Sequence, residues 1–177
     1  MAEKTAIVFC SASGTIAPEF NDAAREVVRL LCSKGYAIAS GGTITGTMRV
    51  VADAARDCGA HNIGVIPRFM ENVVYPDLDE TIWTDTMAER KEILRAKGKE
   101  LAVALPGGIG TLDELFETLT LAKLDKYHGR VVAYNLNGFY DRVRDLLDYY
   151  VETGMLDKDS RGLISFPESI SELEQIV

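Results

Sequence analysis

The stretch Leu101-Ala102-Val103-Ala104-Leu105-Pro106-Gly107-Gly108-Ile109-Gly110-Thr111 decides how this chain is read. Its first five residues are apolar without a break, as in a strand covered on both faces of a parallel sheet. Pro106 stiffens the exit, and a helix is predicted from Thr111 to about Lys126. Between them Gly107, Gly108 and Gly110 permit positive φ and let the backbone approach an oxyanion closely. A glycine turn from a buried strand into a helix start presents unpaired amides outward. These four positions, Gly107, Gly108, Gly110 and Thr111, are therefore expected to hold the phosphate of a small molecule, foremost a nucleotide.

Outward from this unit, strand-like and helix-like segments alternate along the chain. Thr5–Cys10 reads as a strand, with a helix from Pro18 ended by Gly35. Tyr36–Ser40 is a strand, followed by a helix from about Thr47 to Cys58, and Asn62–Ile66 is the next strand. Pro67 to Asp79 loses periodicity and is expected to form an irregular flap before a short strand at Thr81–Thr84. Thr86-Met87-Ala88-Glu89 spells a capping box for a helix to about Lys97. After the central unit come a strand at Val131–Leu136, a helix at Phe139–Glu152, a strand at Leu163–Phe166 and a short helix from Ser169. This alternation predicts a single α/β domain over residues 1–177, a three-layer α/β/α arrangement with a mainly parallel sheet.

Composition narrows the function. The 177 residues carry a formal net charge of −8, which opposes binding of nucleic acid polymers. No stretch approaches the roughly 18 apolar residues that span a bilayer. Met1-Ala2-Glu3-Lys4 runs directly into an apolar strand, so no secretory signal is expected. Cys10, Cys32 and Cys58 form no C-x-x-C pair, so neither a disulfide framework nor a thiolate metal site is expected. The chain is expected to be soluble and cytoplasmic.

In open α/β sheets, ligands bind beyond the carboxyl ends of the strands. Three small-residue turns fall there: Ser11-Ala12-Ser13-Gly14, Gly41-Gly42-Thr43-Ile44-Thr45-Gly46 and the central turn. They are expected to share one crevice, with Ser13, Gly41 and Gly42 in reach of ligand. Glu114 stands in Thr111-x-x-Glu114, a capping-box spelling that gives it a structural role; a carboxylate there can also reach a ribose hydroxyl or a water beside bound phosphate. Arg90 has Thr86, Met87, Ile93 and Leu94 as helical neighbours, so it must find an anion off its own helix or snorkel to water. The central turn lacks the Lys-Ser or Lys-Thr of a Walker loop, no G-x-G-x-x-G occurs, and His61 and His128 sit in no metal motif. No G-x-S-x-G elbow is present.

These residues resemble the Lonely Guy (LOG) family of cytokinin riboside 5′-monophosphate phosphoribohydrolases, long labelled lysine decarboxylases. The resemblance is carried by Phe9-Cys10-Ser11-Ala12-Ser13-Gly14, Val51-Ala52-Asp53-Ala54-Ala55, Gly64-Val65-Ile66-Pro67, Met87-Ala88-Glu89-Arg90-Lys91, Leu105 through Glu114, and Asn137-Gly138-Phe139-Tyr140-Asp141. It implies a Rossmann-like homodimer that needs no cofactor and hydrolyses the N-glycosidic bond of a nucleoside 5′-monophosphate. By position it implies Arg90 and Glu114 as the catalytic pair, the glycines and Thr111 as the phosphate cradle, and Lys91, Thr120 and Glu71 at the nucleotide site. The chemistry suits them, since a carboxylate can stabilise positive charge developing on the ribose. Decarboxylation would need a pyridoxal-bearing lysine, for which nothing in the sequence argues.

This chain departs from the family pattern at Thr43, Arg49, Ala88, Leu121 and Lys123, around the presumed site rather than at the catalytic pair. A different reading is a non-catalytic carrier of a phosphorylated pterin, as in molybdenum-cofactor carriers, which share the fold and a related glycine turn. Retention of both Arg90 and Glu114 favours the enzyme.

Overall fold

Lys4–Phe9 (β1) alternates Ala6 and Val8 to one face with Ile7 and Phe9 to the other, all buried. The computed structural model describes residues 4–177, so the reading of Met1-Ala2-Glu3 lies outside the described residues. The chain continues through Pro18–Ser33 (α1), Tyr36–Ser40 (β2), Gly46–Asp57 (α2) and Asn62–Pro67 (β3). Next come Glu80–Thr84 (β4), Met87–Lys97 (α3), Leu101–Ala104 (β5), Ile109–Lys123 (α4) and Arg130–Ala133 (β6). Asp141–Glu152 (α5), Lys158–Arg161 (α6), Ile164–Ser165 (β7) and Ile170–Ile176 (α7) complete it.

All seven strands pair in parallel in the order β4-β3-β2-β1-β5-β6-β7. Helices α1, α2 and α7 bury Val27, Val51 and Leu173 against the face that carries Ala6 and Val8. Helices α3, α4 and α5 bury Leu94, Leu115 and Leu147 against the face of Ile7 and Phe9. The strand order reverses between β1 and β5, and the crevice at such a switch point is where α/β sheets take ligands. Among the described residues, no helix is long and apolar enough to cross a membrane.

The structure corrects several local expectations. Helix α4 starts at Ile109 with Gly108 as its N-cap, two residues before the expected Thr111, and ends at Lys123. Thr111 is therefore inside the first turn, and the Thr111-x-x-Glu114 spelling does not form a capping box. Left-handed φ does not occur at Gly107, Gly108 or Gly110; it occurs at Gly42 and Gly46 of the second turn. Helix α5 begins at Asp141 instead of Phe139, and the short α6 was not foreseen. The expected flap contains a 3-10 segment, Arg68–Val73, followed by an antiparallel bridge from Val74 to Thr43.

Candidate active site

Arg90 and Glu114 reach each other because α3 and α4 both leave the switch-point end of the sheet and pack on the same face. Thr86 caps α3 by accepting from the Glu89 amide, which fixes the first turn and hence Arg90. The reciprocal arm of the capping box is displaced by one residue, since Glu89 accepts from the Asp85 amide at 2.8 Å. Arg90 is only 4% exposed and Glu114 only 5%. The Arg90 Nε donates to the Val65 carbonyl at 2.9 Å, and its Nη1 stands 3.6 Å from Glu114 Oε1. That separation gives attraction without a hydrogen bond, so both groups retain capacity for a ligand. Burial pushes the Glu114 carboxyl up to about 7, against the opposing pull of Arg90.

Both side chains line a cleft of about 350 Å³. One wall is the chain leaving β1, Cys10 to Ser13; the other is the start of α4 with Gly108, Gly110 and Thr111. A Cβ at Gly108 or Gly110 would meet nothing, so these positions leave the helix start open to a ligand. Gly107 is small for another reason: a Cβ there would overlap the Thr111 side chain. The Ser11 hydroxyl accepts from the Ser13 amide at 3.0 Å and shapes the opposite wall. Burial drives the Cys10 thiol far above its ordinary range, leaving it a neutral wall element.

The second glycine turn supports the pair rather than lining the cleft. A Cβ on Gly41 would overlap the Arg90 guanidinium, and Gly42 packs against Gly64 and Ile66 with φ +65°. Tyr75 fastens this turn: its amide donates to Gly42 O at 2.9 Å and its hydroxyl donates to Asp53 at 2.6 Å. Sequence reasoning missed Tyr75, because the tie depends on how the flap folds back.

Other expected contacts fall elsewhere. Lys91 is held by Asp113 at 2.9 Å and by Glu117 and does not itself line the cleft, although Asp113 does. Thr120 sits on the outer face of α4, donating to Phe116 O at 2.7 Å, and Glu71 is exposed in the 3-10 segment. Met48, Met70 and Met87 line the cleft and were not foreseen. The available signal was Met87 one turn before Arg90 and Met48 at the start of α2. A larger groove of about 580 Å³ lies beside Arg95, Lys99, Lys126 and His128, away from the glycine turn and from the buried pair.

None of the departing residues lines the cleft, and Thr43 touches a residue that does. Thr43 is buried, with its hydroxyl 2.8 Å from that of Thr45 and 3.3 Å from Met48 Sδ, so it helps to set a cleft-lining methionine. Leu121 packs against the core beneath α4 and Lys123 faces Asp157 at 3.7 Å. Arg49 lies on the surface beside Asp53, and Ala88 is exposed.

A family model described as "Possible lysine decarboxylase" matches residues 48–176, a span that holds Arg90, the glycine turn and Glu114. The chain belongs to this family, the LOG family. A cytokinin riboside 5′-monophosphate phosphoribohydrolase of Mycobacterium tuberculosis is 38% identical over 85% of this chain and 80% of that protein. A probable enzyme of the same name from Oryza sativa subsp. japonica is 33% identical over 96% of this chain and 81% of its own length. Among solved structures, a molybdenum cofactor carrier protein from Chlamydomonas reinhardtii superposes with a TM-score of 0.70 at 21% identity, covering 97% of this chain and 94% of that one. A molybdenum cofactor binding protein from Rippkaea orientalis gives 0.72 at 20% identity, covering 99% and 96%. At such identities the likeness concerns the fold alone.

Proposed function

We propose that this LOG-family chain hydrolyses the N-glycosidic bond of a nucleoside 5′-monophosphate, AMP or a cytokinin riboside 5′-monophosphate, to free base and ribose 5-phosphate. The observation that carries the reading is the buried Arg90–Glu114 pair beside the open helix start at Gly108 and Gly110. The activity for which the relatives are named gives independent support. The phosphate sits against the α4 amides, where the helix dipole favours an anion, with Thr111 beside it. This anchoring brings the ribose toward Glu114.

As the bond from C1′ to the base nitrogen breaks, its electron pair leaves with the base and positive charge develops on the ribose. Glu114, ionised, stabilises that charge and orients the water whose oxygen bonds to C1′; the water's proton balances the departing base. Arg90 keeps Glu114 charged despite burial and fixes the nucleotide. Met48, Met70 and Met87 form an adaptable apolar wall beside the reacting centre.

We also propose a homodimer. Ile109 is 88% exposed, and with Leu112 and Phe116 it lines an open groove on the outer face of α4, a surface suited to a second copy. The three free thiols suit a reducing cytoplasm.

The test is chromatographic detection of base after incubation with a panel of nucleoside monophosphates. Release of base is expected. Tight nucleotide binding with no base from any of them would overturn the hydrolase and favour a carrier.

A further inference from the structure

Lys91 and Asp113 are the sequence neighbours of the buried pair, one following Arg90 and one preceding Glu114. They take part in an ion ladder that joins α3 to α4 alongside it. The Lys91 ammonium meets Asp113 Oδ2 at 2.9 Å and also meets Glu117; one turn further, Arg95 meets the same Glu117 at 2.8 Å. The Lys91 side chain is 14% exposed and that of Arg95 11%, while Glu117 is half-buried and Asp113 is 57% exposed, so solvent screens the Lys91–Asp113 contact more than the two contacts to Glu117. Neither cation lines the cleft of the glycine turn.

The groups facing Glu114 are Arg90 and Lys91 from α3, Asp113 and Glu117 from its own helix α4, and the neutral Cys10 from the end of β1. Its two acidic neighbours oppose a negative charge at Glu114, and Lys91 is the side chain that binds both of them. Two of the three donors of the Lys91 ammonium are directed to these carboxylates, and that pairing neutralises its charge toward a nucleotide phosphate.

We propose that Lys91 is a positioning residue: by binding Asp113 and Glu117 together it holds α3 against α4 beside the Arg90–Glu114 pair and shields Glu114 from its acidic neighbours. The role deepens the N-glycosidase reading and rests on it for the kinetic arm of the test. The NMR titration arm is independent of turnover.

The experiment measures kcat/KM for AMP against pH, and in parallel follows Glu114 by 13C NMR of carboxyl-labelled glutamate, assigned with Glu114→Gln. Lys91→Met, Lys91→Arg, Asp113→Asn and Glu117→Gln are compared with the unaltered chain. Lys91→Met is expected to move the acidic limb and the Glu114 titration upward by about one pH unit, with little change in KM. Lys91→Arg restores both, and Asp113→Asn and Glu117→Gln move them downward, so the result stands even if Lys91→Met does not fold. A tenfold rise in KM with unmoved limb and unmoved titration would overturn the proposal and make Lys91 a direct nucleotide ligand. Absence of base release from the unaltered chain defeats the hydrolase reading, and the NMR titrations then still decide the ladder: shifts in these directions support it and unmoved titrations overturn it.

Discussion

The Arg90 Nε is tied to the Val65 carbonyl of β3 at 2.9 Å, so the guanidinium is fixed to the sheet before it meets Glu114. One end of the planar fork is spent on structure and the other faces the carboxylate, a division of labour that lysine cannot reproduce. Arg90→Ala removes both. Breaking a buried pair from one side costs about 3–5 kcal/mol unless the remaining group is neutralised, and Glu114 can take up a proton. The expected outcome is a lower melting temperature, loss of base release at pH 7, and partial recovery at higher pH. Arg90→Lys should restore stability in part and rate poorly; a pH–rate series on the purified variants checks both.

Glu114 must be ionised to stabilise a cationic ribose, and burial has raised its carboxyl to about 7. Activity should therefore rise with pH through this value. The sign for stability is opposite. A carboxyl raised in the folded state stabilises fully below its unfolded value near 4.5, and that contribution is lost as pH rises to about 7. Glu114→Gln should cut base release by about 10²–10⁴-fold, as removal of a positioned acid–base group does, and flatten the stability slope across this window. Thermal melts at several pH values beside base-release assays give the comparison.

Gly107 and Gly110 separate packing from binding. Gly110 lies in the first turn of α4 and faces open space, so Gly110→Ala should leave the fold intact or stabilise it by about 0.5–1 kcal/mol, while its methyl obstructs the phosphate and raises KM at least tenfold. Gly107→Ala has no room beside Thr111 and should lower the melting temperature. Melting curves and nucleotide titrations on both variants distinguish the two effects.

Ile109 makes no core contact that a charge would disrupt, since 88% of it is exposed. Ile109→Glu should leave the single-chain fold and its far-UV circular dichroism unchanged while halving the mass seen by light scattering. An unaltered chain that is already monomeric at micromolar concentration would reject the dimer.

Much of the architecture was legible in the order of residues. The unbroken apolar run before Pro106 and the alternation of two periodicities specified a parallel sheet between helical layers, because burial on both faces leaves no polar alternation. The helix ends were less legible. Thr111 carries the spelling of a cap, but the available space lets Gly108 cap α4, which frees Glu114 from a structural duty. The conformational role assigned to the central glycines moved likewise: left-handed φ is needed at Gly42 and Gly46, where the second turn packs against the backbone of β3 and the chain after β1, while the central glycines supply room.

By itself the sequence determined which residues had chemistry to offer: a guanidinium with no partner on its own helix, a carboxylate following a glycine turn, and an apolar strand to position them. Tertiary structure alone decided that Arg90 and Glu114 share one burial site, that Lys91 turns to Asp113 and Glu117, and that Thr120 faces outward. These outcomes depend on how two helices leaving the same end of a sheet are rotated about their axes, a choice set by packing against the core and encoded in no local run of residues.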